Sequence, residues 1–504
     1  MRKTASGYRL IFGYLGLFVA FVGIGLLLPL LALIAYPEEA GDWYCFVIPG
    51  VSAIILGVAL FMLVAKRDKA QLGKHQDSVL LVLVWVAAIL ISAMPFLIKG
   101  VMNFTDAIFE TTSAHATVGL SVLDPKYLTE GPDGDYLHLF VLYRSILCFV
   151  GGVGLVLIIT SAISDRYGMK LYIAEGHNDK LMPNLAKSAR MIFSIYFGIT
   201  ALGVILYVIA GMPLFDAIVH SISAVATGGF SSRPEGIMYF ANHPNFWAFQ
   251  VISVVIMVMG ATNFLLTFFI LTGRFKRVIK DCEVRLFLAL AIIFIPLFIL
   301  AVYFGGSVSS FGEAISKGTF SFFTASTTTG FANVQNIRSL GQAALMLVVF
   351  LNIMGGCIGS TAGGIKLYRM AIAIKSFYWS TKESTSSKNT IYPHYISRFG
   401  EEKEVDAREM SVTLGYIFLY GTLLFVGAVF ITIFDKGATS FGDALFEYSN
   451  AISSTGLSLD VCKTCTVGSK WTLIIGMLAG RLEILPIYFA FFRGVKDIFR
   501  KETF

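Results

Sequence analysis

Charged residues are scarce in this 504-residue chain. Asp, Glu, Lys and Arg make up 14% of it against 56% hydrophobic residues, and the mean hydropathy is +0.74. Soluble domains carry roughly 25% charged residues, so an ordinary water-facing surface is excluded. Cysteine is rare: Cys45, Cys148, Cys282 and Cys357 are scattered, and only Cys462 and Cys465 lie close together, in CKTC on a predicted outer loop. A disulfide framework is thereby excluded, and two thiols do not make a zinc site; for this pair a local disulfide or two free thiols stay open. The chain has no Gly-x-x-x-x-Gly-Lys loop, no Rossmann fingerprint, no metal-ligand cluster and no nucleophile beside a base. It is therefore not expected to be an enzyme, and any nucleotide control must come through a partner.

What the chain has is apolar sequence. About 20 apolar residues cross a bilayer, and runs of that length recur from residue 10 to residue 492. The net charge of +7 does not point to nucleic acid, because most of the 39 Lys and Arg residues cluster in loops on one predicted side: 66–74, 166–190, 274–285, 366–408 and 493–501. By the positive-inside rule that side is the cytoplasm, which puts both termini there. The start, MRKTASGYRL, is charged like a signal peptide, but the apolar run after it is too long and has no small-residue cleavage site; a retained first helix is expected.

One segment recurs four times: FTDAIFETTSAHATVGLS ending at Ser121, LFDAIVHSISAVATGGFS at Ser231, ISKGTFSFFTASTTTGFA at Ala332 and SFGDALFEYSNAISSTGLS at Ser458. Counting back from Gly119, Gly229, Gly330 and Gly456, the second residue is Thr117, Thr227, Thr328 or Ser454, and the fifth is Ala114, Ala224, Ala325 or Ala451. The glycines lie 110, 101 and 126 residues apart, room for one apolar helix before each segment and one after it. The preceding helices are expected at Val79 to Ile98, Met191 to Ala210, Phe287 to Phe304 and Val412 to Phe434. The following ones are expected at Leu137 to Ser161, Phe246 to Leu271, Ala343 to Ser376 and Trp471 to Phe492.

The stretch before each glycine is too short to span, so it must enter and leave on one face. Asp106, Asp216 and Asp443 suit the start of a short helix, where a carboxylate caps free N–H groups; Lys317 replaces them in the third copy. The helix then aims its negative end at the glycine. Extended backbone at membrane depth is tolerated only where it lines protein or water, and four copies around one axis satisfy that. Their carbonyls can replace the hydration shell of a cation, with glycine allowing positive φ. The expected fold is an all-α membrane protein of ten spans: two N-terminal helices (1–70), then pore repeats at 71–180, 181–280, 281–400 and 401–504.

With FETTSAHATVG, AGMPLFDAI, SAVATGGFS, TTTGFANV, GGCIGSTAGGIK and AGRLEILPIYF, the chain resembles the Trk, Ktr and HKT superfamily of cation transporters over nearly its whole length. The two helices ahead of the first repeat are similar to the Trk branch, since Ktr chains usually begin at the first repeat. The resemblance implies a potassium-selective translocating subunit in the bacterial inner membrane, with potassium as cargo and no prosthetic group. It also implies a homodimer and a cytoplasmic TrkA-like ring of nucleotide-binding subunits. The filter residues would be Thr117, Val118, Gly119, Thr227, Gly228, Gly229, Thr328, Thr329, Gly330, Ser454, Thr455 and Gly456. A sodium-dependent Ktr-like subunit is the nearest alternative. A secondary transporter of an organic solute is a more distant one, since it predicts inverted repeats whereas these four run in the same direction.

Residues 354–364 hold five glycines in eleven positions. Each costs up to about 1 kcal/mol of helix stability relative to alanine, so a continuous helix is not expected there. The resemblance makes this stretch a gating loop, with Gly355, Gly356, Gly359, Ser360, Thr361, Gly363, Gly364 and Lys366, and makes Arg481 a positive barrier in the path. The alternative for Arg481 is a structural ion pair with Glu110 or Glu447 of neighbouring pore helices. His115 is either a titrating group near the filter or a neutral, hydrogen-bonded residue behind it. Arg144 is expected to anchor at the membrane interface. The polar stretch Trp379 to Arg408 is either a docking site or a solvated linker.

Overall fold

A computed structural model of the chain describes residues 8–62, 76–130, 135–154, 185–306, 308–386 and 392–499. The helices Tyr8–Leu27 and Trp43–Met62 form an antiparallel pair that packs on the first helix of repeat 1, Gln76–Lys99. That cover shows in burial: half of the Asp77–Lys99 span is buried, against 17% of the corresponding span Cys282–Gly305 in repeat 3. Leu185–Ala210 and Ala407–Phe434 complete the set of first helices, close to the expected bounds.

Each first helix is followed by a short one: Phe104–His115, Leu214–Val225, Phe311–Ser326 and Phe441–Ile452. Twelve residues rise only about 18 Å, so three of the four cannot cross. The capping expectation is corrected in detail. Asn103 and Ser440 are the capping side chains, accepting from the N–H of Asp106 and Asp443, which therefore stand in the first turn and serve the dipole. In repeat 3 the helix begins a turn earlier, capped by Ser310 with Glu313 in its first turn. Lys317 stands one turn on and pairs with Glu313 at 2.5 Å, so the odd lysine comes with its own carboxylate.

The second helices depart most from expectation. Phe246 to Leu271 is two helices, Phe246–Ala261 and Phe264–Leu271, bent by 114°, and the last span is Val467–Arg481 and Ile484–Phe499, bent by 103°. Neither is the continuous span expected. In repeat 3 the break is the expected one: Gln342–Met354 ends at Gly355, and Leu367–Ser384 starts after Lys366. In repeat 1, His138–Val153 ends at Gly154, φ +90°, and its expected continuation to Ser161 lies outside the described residues. Among the described residues six helices are long and apolar enough to span, or eight if each bent pair counts as one.

The polar stretch after repeat 3 is not a plain linker. Strands Tyr395–Arg398 and Glu401–Glu404 form an antiparallel hairpin, joined by Phe399 and Gly400 at φ +53° and +84°. Cys462 and Cys465 are free thiols.

Candidate functional site

The four short helices end in one way. Thr117, Thr227, Thr328 and Ser454 adopt φ of +52°, +49°, +51° and +57°. The next N–H reaches back to the carbonyl five residues earlier: Val118 to Ser113, Gly228 to Ser223, Thr329 to Thr324 and Thr455 to Asn450, all at 2.8 to 2.9 Å. The N–H of the left-handed residue itself bonds to Ala114, Ala224, Ala325 or Ala451. This is a Schellman cap, which usually takes glycine at its left-handed residue. A β-branched threonine there is strained by roughly 1–2 kcal/mol. The same positive φ four times over, three times on threonine and once on serine, is imposed by the surroundings. The positive φ expected of the glycines is found at Gly119, Gly229 and Gly330 and not at Gly456.

The segments close into a ring, and the glycines report it. A methyl group on Gly119 would run into the carbonyl of Gly228, and one on Gly229 would lie 2.7 Å from the Thr329 oxygen. On Gly330 it would strike the backbone of Gly456, and on Gly456 it would lie 2.7 Å from the Val118 oxygen. Each repeat thus touches the next and the fourth touches the first. Outside the ring a cavity of about 190 Å³ is lined by Gly119, Gly229 and Gly456 with Ser121, Ser231 and Ser458.

Behind the ring lies a set of supports that the sequence reading missed. Nine residues before the glycine stand Glu110, His220, Ser321 and Glu447. Glu110 accepts from Ser121 Oγ at 2.8 Å and Val122 N at 3.0 Å, and Glu447 from Ser458 Oγ at 2.6 Å and Leu459 N at 3.0 Å. His220 Nε2 lies 3.1 Å from Ser231 Oγ. These groups tie the strand leaving the filter to its own pore helix. Arg144 is not an interfacial anchor: it is 2% exposed, donates to Glu110 at 2.8 Å and to the Ser231 carbonyl at 3.1 Å, and stacks on Phe230. It links filter 1 to filter 2. His115 is buried against Ser92, 2.9 Å away, with Trp85 edge-on, which matches the reading that places it behind the filter.

Below the ring sits the glycine-rich loop. The Gly363 N–H donates to Thr328 Oγ1 at 2.8 Å, and Thr227 Oγ1 donates to Thr361 Oγ1 at 3.2 Å. Thr361 Oγ1 also reaches the Val225 and Gly260 carbonyls at 2.9 Å. Two of the four inner hydroxyls are thus held by the loop. The other two, on Thr117 and Ser454, are buried without a protein hydrogen-bond partner. Gly355, Gly359 and Gly364 take positive φ, as does Lys366 at +78°, and Lys366 Nζ caps the Ala362 carbonyl. Ser360 Oγ bonds to the Cys357 carbonyl, and Leu367 N to that of Gly356.

Arg481 ends the upper half of the last span and reaches two other repeats, donating to the carbonyls of Thr361, Gly151 and Gly152. The expected alternative, pairing with Glu110 or Glu447, is not formed, since those carboxylates hold Arg144 and the 458–462 turn. Glu483 pairs with Arg369 at 2.6 Å.

Four filter-like segments closed into one ring, each carried by a short helix between two apolar ones, define a membrane pore protein of four fused repeats. Within that class the family is assignable. The TrkH family, described as cation transport proteins, matches residues 135–496, and the chain belongs to it. It is 29% identical to the Trk system potassium uptake protein TrkG of Escherichia coli, covering 97% of this chain and 98% of that one. It is 28% identical to an uncharacterized cation transporter of Methanocaldococcus jannaschii, over 97% and 96%. The crystal structure of the potassium transporter TrkH from Vibrio parahaemolyticus superposes with a TM-score of 0.81 at 26% identity, covering 95% of this chain and 97% of that one. This is a family of transporters, not of enzymes.

Proposed function

We propose that this chain is the potassium-translocating subunit of a Trk-type uptake system. The observation that carries the reading is the closed ring: four backbone strands in one register, with the buried Thr117 and Ser454 hydroxyls left unbonded by protein at its inner end. Such oxygens, with the carbonyls above them, suit a weakly hydrated monovalent cation. The filter is Thr117 to Gly119, Thr227 to Gly229, Thr328 to Gly330 and Ser454 to Gly456, one strand from each of the units 71–180, 181–280, 281–400 and 401–504. Relatives named as potassium uptake proteins support potassium as the cargo.

The loop 354–364 with Lys366 is the gate in this reading, and Arg481 is a fixed positive charge beside it. Its seat under Thr227 and Thr328 supports that role, because a loop so placed lies across the inner mouth of the filter. The basic loops support a bacterial inner-membrane orientation with both termini in the cytoplasm. A homodimer gated by a TrkA-like ring follows from the family resemblance. The test is ion flux in liposomes holding the purified chain, with potassium against sodium. Potassium flux well above sodium flux is expected, and equal permeation by both ions would overturn the selectivity assignment.

A further inference from the structure

We propose that the cytoplasmic hairpin 395–404 is a handle on the intramembrane loop, and that Asp281 and Glu283 are the positioning residues joining the two; the inference rests on the loop's being the gate. Two independent links run from hairpin to loop. The first is polar. The Phe399 N–H at the hairpin tip donates to Asp281 Oδ2 at 2.8 Å. The other oxygen of Asp281 accepts from the Glu283 N–H at 2.8 Å, capping the first helix of repeat 3. The Glu283 carboxylate then accepts from the Ile358 N–H, in the middle of the loop, at 2.7 Å. Both carboxylates are fully buried, where an acceptor is costly to strand.

The second link is apolar. Ile358 does not join the main membrane core: it packs in a separate cluster with Ile372 and Trp379 of the following helix, with Ile396 of the hairpin and with Val405 just after it. Capping the repeat 3 helix needs only one oxygen of Asp281, and an ordinary two-residue turn favours Asn-Gly rather than a phenylalanine at φ +53°. The strained tip and the second carboxylate oxygen are both used to seat the hairpin. On the other side of Ile358, its carbonyl accepts from Asn263 at the repeat 2 break. A shift of the hairpin therefore pulls on a residue at the middle of the loop that is also tied to the repeat 2 break.

The experiment uses the full chain in liposomes, with amide hydrogen exchange read on peptides covering 355–366 and 395–404 and potassium flux read in parallel. Glu283→Ala removes the polar link and Glu283→Gln keeps a neutral acceptor. Ile396→Asp opens the apolar cluster from the cytoplasmic side, away from the permeation path, and stays informative if Glu283→Ala does not fold. Exchange in 355–366 is expected to rise at least about tenfold in Glu283→Ala and Ile396→Asp and to stay near wild type in Glu283→Gln. Flux is expected to rise in the same two variants. If Ile396→Asp frees the hairpin while exchange in 355–366 is unchanged, the handle is overturned. If exchange in the loop rises and flux does not, the handle stands and the reading of the loop as gate falls.

Discussion

At the ends of the short helices the four repeats share one cap conformation, whereas below it the second helices end differently: at Gly154, at a 114° bend, in a loop from Gly355 to Lys366, and at a 103° bend. The two halves answer to different physical demands. A cation held on an axis is stabilised by equal oxygens on all sides, so a pore keeps its four caps alike even at the cost of a strained threonine or serine in each. An obstruction needs only one mobile element, and three further copies would have to move together. Asymmetry below the ring is therefore what the proposed gate requires, and the glycines, Arg481 and the Glu283 link all gather there.

The symmetric half should be the less forgiving. Gly119→Ser puts a side chain against the Gly228 carbonyl at a residue held at φ +88°, and Gly330→Ala does the same against Gly456. We expect Gly330→Ala to abolish potassium flux and Gly119→Ser to lower the potassium-to-sodium flux ratio by at least about tenfold, or roughly 1.4 kcal/mol of discrimination. Retention of the wild-type ratio by Gly119→Ser would break the claim that the ring is closed. The supports behind the ring come next. Arg144→Leu leaves Glu110 buried without its cation and should cost about 3–5 kcal/mol. Glu447→Gln, whose partners are neutral, should cost only about 1–3 kcal/mol. Thermal unfolding in detergent measures the difference, and equal costs would show that Arg144 is not what holds filter 1 to filter 2.

In the asymmetric half the sign should reverse. Arg481 donates to carbonyls of repeats 1 and 3, so Arg481→Ala removes both a positive charge and a tie across the inner mouth. Potassium flux into liposomes is expected to rise by about tenfold, as if roughly 1.4 kcal/mol had been taken off the barrier. Unchanged flux would remove Arg481 from the path.

The symmetric half was also the legible half, for a physical reason. A helix start, a cap and a glycine are local events written in neighbouring residues, so the register from Asp106 to Gly119 could be read and found again three times. The loop at 354–364 was legible because five glycines cannot hold a helix. The bends at Thr262–Asn263 and Leu482–Glu483 were not, since one or two polar residues in an apolar run carry little signal; the structure uses Asn263 as a cap, accepting from Leu265 N, and puts Glu483 at φ +54°. Arg144 was misplaced because its partner Glu110 lies 34 residues away. The repetition of a carboxylate at Glu110 and Glu447, nine residues before the glycine, was the available clue.

The smallest expected effect separates the halves within a single residue type. Thr117 and Thr328 have the same φ within a degree and the same cap, but the Thr117 hydroxyl has no protein partner whereas Thr328 Oγ1 accepts from the Gly363 N–H. Glycine is the favoured residue for the left-handed position, so Thr117→Gly and Thr328→Gly should each recover about 1 kcal/mol of strain. In Thr117→Gly that gain should appear as a slightly higher unfolding temperature, with the loop undisturbed. In Thr328→Gly the lost hydrogen bond offsets it by about 0.5–1.5 kcal/mol, so stability should barely change while the loop is released. Hydrogen exchange on 355–366 should accordingly rise in Thr328→Gly and not in Thr117→Gly. The same response in both variants would mean that the loop does not distinguish the filters above it, and that the asymmetry begins lower than the threonine ring.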